Sequence, residues 1–203
     1  MHFMTFLKAF SRSGRRRSSS WLMASSFLAC LLLAACEPGA SLPPLPRTTG
    51  ASYTLGPGEM VRVVVFGQTQ LTGQFSVNDR GDISVPLLGD IPASGETTDQ
   101  LARNIETALT DKKILLNPNV SVEVVKYRPV FILGEVVKPG QYSYEPGMTA
   151  LTLVAIAGGF TYRAQTGYLA ILRKSDGKVI EGRAKRGADI EPGDVVTVFE
   201  RYF

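Results

Sequence analysis

Few side chains in this 203-residue sequence can do chemistry, and the shortage narrows the possibilities at once. His2 is the only histidine, and Cys30 and Cys36 are the only thiols. A Ser-His-Asp or Cys-His mechanism therefore lacks its base, and most zinc sites lack their ligands. Carboxylates remain, and a glycosidase needs only two of them: Asp79 with Asp82, or Glu135 with Glu145. All four stand beside turns, where a carboxylate more often faces water or bonds to nearby backbone. Asp79-Arg80-Gly81-Asp82 lacks the ligand spacing of an EF-hand loop. Gly56-Pro57-Gly58 precedes a strand, not the helix that a phosphate cradle requires. Tyr127, Tyr142, Tyr144, Tyr162 and Tyr168 could stack on sugar rings, although aromatic residues in strands usually pack in cores or interfaces. No catalytic residue, metal ligand or cofactor is assigned, and the chain reads as a non-enzyme.

Cys36 has reactivity written into its context. Residues 1–35 hold five basic residues (Lys8, Arg12, Arg15, Arg16 and Arg17) and no acidic ones, then the apolar run Trp21 to Ala35. That run is short for a span of about 20 residues and has the layout of a secretion signal. It ends in Leu33-Ala34-Ala35-Cys36, which resembles the lipobox of bacterial lipoproteins. There the cysteine sulfur receives a diacylglyceryl group, the peptide is cut before it, and the new amino terminus is acylated. Cys30 would leave with the leader and Cys36 would be lipidated, so the mature chain is expected to form no disulfide. Glu37, rather than Asp, at the next position favours the outer membrane by resemblance to the enterobacterial sorting rule. Taking the five leader residues from the 22 Lys and Arg leaves 17 against 18 Asp and Glu, a net charge of −1. The basic character belongs to the leader, which argues against a nucleic-acid partner.

The elements that follow predict an α+β chain. Residues 36–51 carry four prolines and no apolar periodicity, and read as a lipidated tether. At about 3.1 Å per residue it would reach roughly 45 Å. A first domain, 52–126, opens with a β-prone run from Met60 to Phe66. Phe75–Val77 and Ile83–Val85 flank Asn78-Asp79-Arg80-Gly81, which suggests a hairpin loop. Thr97 and Gln100 have capping-box spacing before a helix whose Leu101, Ile105, Ala108 and Leu109 share one face. Val120, Val122 and Val124 then alternate as a half-buried strand. A second domain, 127–203, begins with a strand from Val130 to Val137. Pro139-Gly140 suits a type II turn, and Gln141 to Glu145 return as a second strand. Thr149 caps a helix over Ala150–Ala157, which Gly158-Gly159 closes with a left-handed residue. Strands at Tyr168–Arg173, Lys178–Ile180 and Val195–Phe199 complete an order compatible with a β-grasp fold. Pro57-Gly58-Glu59-Met60-Val61 and Pro192-Gly193-Asp194-Val195-Val196 reuse one turn to feed two strands.

These residues resemble the polysaccharide export family of bacterial outer-membrane lipoproteins. YTLGPGEMVRVVVFGQ, FSVNDRGDISVPLLGDIPASG and NPNVSVEV are similar to its small export domain. VFILGEVVKPGQYSYEPGMTALTLVAIAGGF and IEPGDVVTVFERYF are similar to its soluble-ligand-binding β-grasp (SLBB) domain. The resemblance implies a ring of identical subunits that passes capsular polysaccharide or exopolysaccharide, working with an inner-membrane co-polymerase. Better-known members carry a C-terminal amphipathic pore helix, and on the residues of this sequence no pore helix is expected after the last strand. The expectation is a lipid-anchored periplasmic ring at the outer membrane, with the membrane passage supplied either by a separate outer-membrane pore protein or by a rearrangement of this chain that its sequence does not reveal. The competing reading is a monomeric lipoprotein that binds glycan or a partner.

One further expectation concerns the second helix. No charge occurs from Pro146 to Tyr162, and Leu151, Leu153, Val154 and Ile156 place apolar groups around most of the helix. A helix packed on one sheet should show a polar outer face. Leu153 and Ile156 are therefore assigned to a contact with the first domain or a neighbouring subunit.

Overall fold

The computed structural model describes residues 38–46, 53–175 and 177–201, and within it the α+β class holds. In the first domain, β1 (Met60–Val65) alternates so that Val61, Val63 and Val65 are buried and Arg62 and Val64 face out. It is the centre of a three-stranded antiparallel sheet, flanked by β2 (Gly73–Ser76) and β5 (Val120–Lys126). Helix α1 (Thr98–Asp111) lays Leu101, Ile105 and Leu109, all fully buried, against this core. Burying each of these contributes about 1.5–3 kcal/mol. The capping box is present: Thr97 Oγ1 accepts from Gln100 N at 3.2 Å, and Gln100 Oε1 accepts from Thr97 N at 2.8 Å. At the other end Lys112 Nζ donates to Leu88 O at 2.6 Å, tying the helix to the second hairpin.

That hairpin differs from the one expected. The chain on either side of Asn78–Gly81 does not pair with itself: β2 pairs with β1, and β3 (Asp82–Val85) pairs with β4 (Gly89–Pro92). The physical reason lies in Asn78, whose Oδ1 accepts from Arg80 N at 2.9 Å and Asp82 N at 3.0 Å. Its side chain turns the backbone out of one sheet and into the next.

The second domain has a five-stranded sheet in the order β7-β6-β10-β8-β9: β6 is Val130–Gly134, β7 Gly140–Tyr142, β8 Tyr168–Ser175, β9 Lys178–Lys185 and β10 Val195–Val198. The last strand in sequence enters the middle, parallel to β6 and antiparallel to β8, with helix α2 (Ala150–Ile156) crossing between the hairpins. This is the β-grasp arrangement. Val130, Ile132, Leu169, Ile171, Val196 and Val198 share its core with Leu153 and Val154 of α2.

Several expectations need correction here. The strand expected to reach Val137 stops at Gly134, which has φ +86° and whose absent Cβ leaves room for Val198 O. Pro139-Gly140 is therefore not the centre of a type II turn: Gly140 is already paired with Ile132, and its φ of +156° is far more extended than the +80° or so of that turn. Gly158 and Gly159 do take φ of +88° and +93°, and Val137 N donates to Gly159 O at 3.1 Å, so the connection is held by the helix end. Leu153 is fully buried in its own domain, so it cannot meet another surface; Ile156, 49% exposed, and Leu151 keep the outer side of α2 apolar.

A further correction concerns the tether. Residues 38–46 are not free but strap the outside of β9: Leu45 N donates to Arg183 O at 2.9 Å and Arg183 N to Pro43 O at 2.7 Å. Leu45 packs on the second core, and a Cβ on Gly182 would lie 2.7 Å from Leu45 Cα. Tyr168 OH donates to Pro38 O at 2.8 Å, which fixes the far end of the strap.

Gly134→Ala should lower stability by more than the ~1–3 kcal/mol of a strained backbone position, because the new methyl also meets Val198 O. Gly140→Ala, with open space around it, should cost less. Urea unfolding of the two variants checks the order; equal losses would place the constraint elsewhere.

Candidate functional site

The joint between the two domains holds the first domain's buried charge. Glu59 follows the Pro57-Gly58 turn into β1 and is 0% exposed. Its Oε2 accepts from Gly56 N at 3.1 Å, and its Oε1 accepts from Arg128 Nε at 3.0 Å and from Tyr53 OH. Arg128 Nη2 also reaches Tyr53 OH at 3.3 Å. Arg128 stands two residues before β6, so this one ion pair links the first strand of the first domain to the first strand of the second. Tyr127 extends the joint, with edge-on contacts to Tyr53 at 5.5 Å and to Tyr144 at 5.3 Å between ring centroids. Burial, followed by the hydrogen bond to Glu59, holds the Tyr53 phenol well above its ordinary range. Burial raises Tyr127 and Tyr144 as well.

The second Pro-Gly turn repeats the device. Asp194 is 1% exposed, its Oδ2 accepts from Glu191 N at 2.8 Å, and it leads directly into β10. Arg173, on the core side of β8, grips it with a fork: Nε to Oδ1 at 3.0 Å and Nη2 to Oδ2 at 2.7 Å. Arg173 Nη1 adds Glu191 Oε1 at 2.5 Å. Burial pushes the Asp194 carboxyl up even against this partner. In both turns the carboxylate folds back on the N–H three residues earlier, and an arginine from another segment neutralises it. Gly193 N donates to Pro129 O at 3.1 Å, so the second turn abuts the joint itself.

The residues weighed in the sequence scatter over the structure. Arg80 pairs with both Asp82 and Asp90, and Glu135 Oε2 accepts from Thr161 Oγ1 at 2.5 Å. Tyr142 OH donates to Lys138 O, and Tyr127 and Tyr144 belong to the joint. Tyr162 stands 81% exposed. Cys36 lies outside the described residues. Among the described residues no group of three or more His, Cys, Asp or Glu could hold a metal ion, and no helix is long and apolar enough to cross a membrane. Sequence reasoning missed Glu59, Arg128, Arg173 and Asp194. The signal available was the acidic residue shared by the two Pro-Gly turns, since an acidic side chain before a buried strand demands a cation.

Residues 47–125 match the polysaccharide biosynthesis/export protein family, and residues 129–182 match the SLBB domain. The exopolysaccharide production protein ExoF of Rhizobium meliloti is 36% identical over 168 residues, which cover 77% of this chain and 38% of that protein. The EPS I polysaccharide export outer membrane protein EpsA of Ralstonia nicotianae is 29% identical over 56% of this chain and 30% of its own length. The polysialic acid transport protein KpsD of Escherichia coli is 28% identical over 53% of this chain and 19% of its own. The chain thus spans less than half the length of each of these relatives.

Arg128→Ala would leave Glu59 buried without its cation. The loss should be about 3 kcal/mol, the low end for a broken buried pair, because the Arg128 side chain keeps 27% exposure. Chemical unfolding measures it, and a loss under about 1 kcal/mol would mean that the pair does not hold the joint. Alkali supplies a second check. The unfolded chain releases its tyrosine protons near pH 10 while folded Tyr53 retains its own, so stability falls as pH rises above about 10. The melting temperature of Tyr53→Phe should fall less steeply over that range, with Tyr127 and Tyr144 sustaining the remainder.

Proposed function

Because this chain belongs to the polysaccharide export family, we propose that it is a lipid-anchored, oligomeric component of a conduit for capsular polysaccharide or exopolysaccharide. The observation that carries this reading is the union of the two domains. A similarity of 168 residues to an exopolysaccharide production protein is too long for either domain alone, and the Glu59–Arg128 pair locks the two together as one body. A conduit needs such rigidity, because a polymer in transit pulls on every subunit that contacts it.

The outer side of α2 supports the oligomer. Leu151 and Ile156 are 43% and 49% exposed on a helix without charge, and Val137, which lies against Gly158 at the helix end, is 55% exposed. Covering these apolar groups with a second copy of the chain would remove them from water, which is favourable. Leu153 belongs to the core and takes no part in that contact. The other partners of this reading are an inner-membrane co-polymerase and the polysaccharide itself, with the anchor at Cys36 and the folded domains in the periplasm at the outer membrane.

Deletion of the gene should abolish or sharply reduce surface polysaccharide; unchanged polysaccharide would sink the reading. Electron micrographs of the purified lipoprotein in detergent should show closed rings, where a monomeric glycan-binding lipoprotein would give single particles. Ile156→Asp should dissolve the rings and leave the subunit folded, whereas Leu153→Asp should unfold it. Circular dichroism beside light scattering separates the two outcomes.

A further inference from the structure

We propose that the back of the five-stranded sheet, the side turned away from α2, receives the outer side of α2 from a second copy of this chain, so that copies join head to tail. The proposal rests on the oligomeric reading above and deepens it, since that reading names one contact surface and a cyclic ring of identical subunits requires two. A sheet with one side on the core ordinarily shows polar side chains on the other. This sheet does not. On β6, Val130 and Ile132 are buried, and Phe131 and Leu133 point the other way. The register carries their rows across the sheet: Phe131 stands beside Val195, and Val195 beside Leu172. In the next row Leu133 stands beside Thr197, and Thr197 beside Ala170. Phe131, Leu172 and Leu133 are 36%, 37% and 48% exposed.

These rows carry no charge, and polar residues begin where they end. Gln141 stands beside Phe131 at one edge, and Glu181 and Arg183 stand beside Leu172 and Ala170 at the other. An apolar centre inside a polar rim is the form of a protein contact surface. A glycan would need hydrogen-bonding groups between its stacking faces, and within the two rows only the Thr197 side chain supplies one. The export domain of the same chain leaves Phe131, Leu133 and Leu172 in water.

The outer side of α2 is the matching surface. Leu153 and Val154 pack with Ile132, Ile171 and Val196 on the core side of the sheet, so Leu151 and Ile156 face out from the opposite side of the domain. That side is uncharged too, because Pro146 to Tyr162 holds no Asp, Glu, Lys or Arg. Joining the two surfaces strands no charge away from water. Two different patches on opposite sides of one domain let each copy accept one neighbour and seat on another, an arrangement that repeats around a ring. A patch that paired with its own counterpart would stop at a dimer.

Cysteine cross-linking of the full lipoprotein in detergent tests this, with a short bismaleimide as the linker and the unsubstituted protein as the blank for Cys36. Leu133→Cys and Ile156→Cys, both at exposed sites, are made singly and together. The double variant should give a ladder of covalent species beyond the dimer on a denaturing gel. Each single variant should run as one subunit, because equivalent residues of head-to-tail neighbours lie a domain's width apart. Leu172→Cys with Leu151→Cys, on the same two surfaces, repeats the test should the first pair fail to assemble. Dimers from a single variant, or an assembled double variant that does not cross-link, overturn the proposal. Light scattering of the unsubstituted protein separates the two failures. A single subunit defeats the oligomeric reading along with this one, whereas assembly without the ladder defeats only this pairing of surfaces.

Discussion

A carboxylate withdrawn from water costs several kcal/mol unless an opposite charge and hydrogen bonds meet it, and Glu59 is withdrawn completely. Its partner, Arg128, comes from 69 residues further along the chain, across the boundary between the domains. Separating the domains would strand the charge, so the joint resists bending in a way that apolar packing alone would not. Tyr53, Tyr127 and Tyr144 complete the closure by covering the pair with aromatic edges and supplying one more donor.

The second domain solves a similar problem in a different place. Arg173 lies on the core side of β8 in line with Leu169 and Ile171, where a free guanidinium would be costly. Asp194 meets it at the mouth of the core, at the very residue where β10 must enter between β6 and β8. A strand that enters last, in the middle of a sheet, needs its register defined by something other than a short hairpin. The fork of Arg173 on Asp194 and the bond from Gly193 N to Pro129 O define it. Both Pro-Gly turns thus place a buried acid at the first step of a strand, and the second turn rests against the residues that make the interdomain joint.

The proposed role in polysaccharide export would give these constraints a use. The described residues hold a joint that keeps two domains in one orientation, an uncovered apolar helix side, and a strap that lays residues 38–46 along β9. Under the proposed conduit reading, features of this kind would set how repeated copies are oriented.

The elements that local chemistry specifies were legible in the sequence. Thr97 and Gln100 announced α1, Thr149 and Gly158-Gly159 bounded α2, and the alternating valines of β1 and β5 marked a half-buried sheet. The two export-type domains were legible too, since their motifs are contiguous. What the sequence did not disclose depends on residues far apart in the chain. Asn78-Asp79-Arg80-Gly81 looked like a hairpin because turn signals say that a chain reverses but not which strand it will pair with. The prolines of residues 38–46 suggested a free tether because composition does not reveal an available edge on β9. Leu153 and Ile156 looked alike on a helix without charge, and only the sheet beneath decided which one is buried. Local sequence determines backbone preference, because that energy is spent within a few residues. Pairing and burial were left to the tertiary structure, because Glu59 acquires its meaning only when Arg128 arrives.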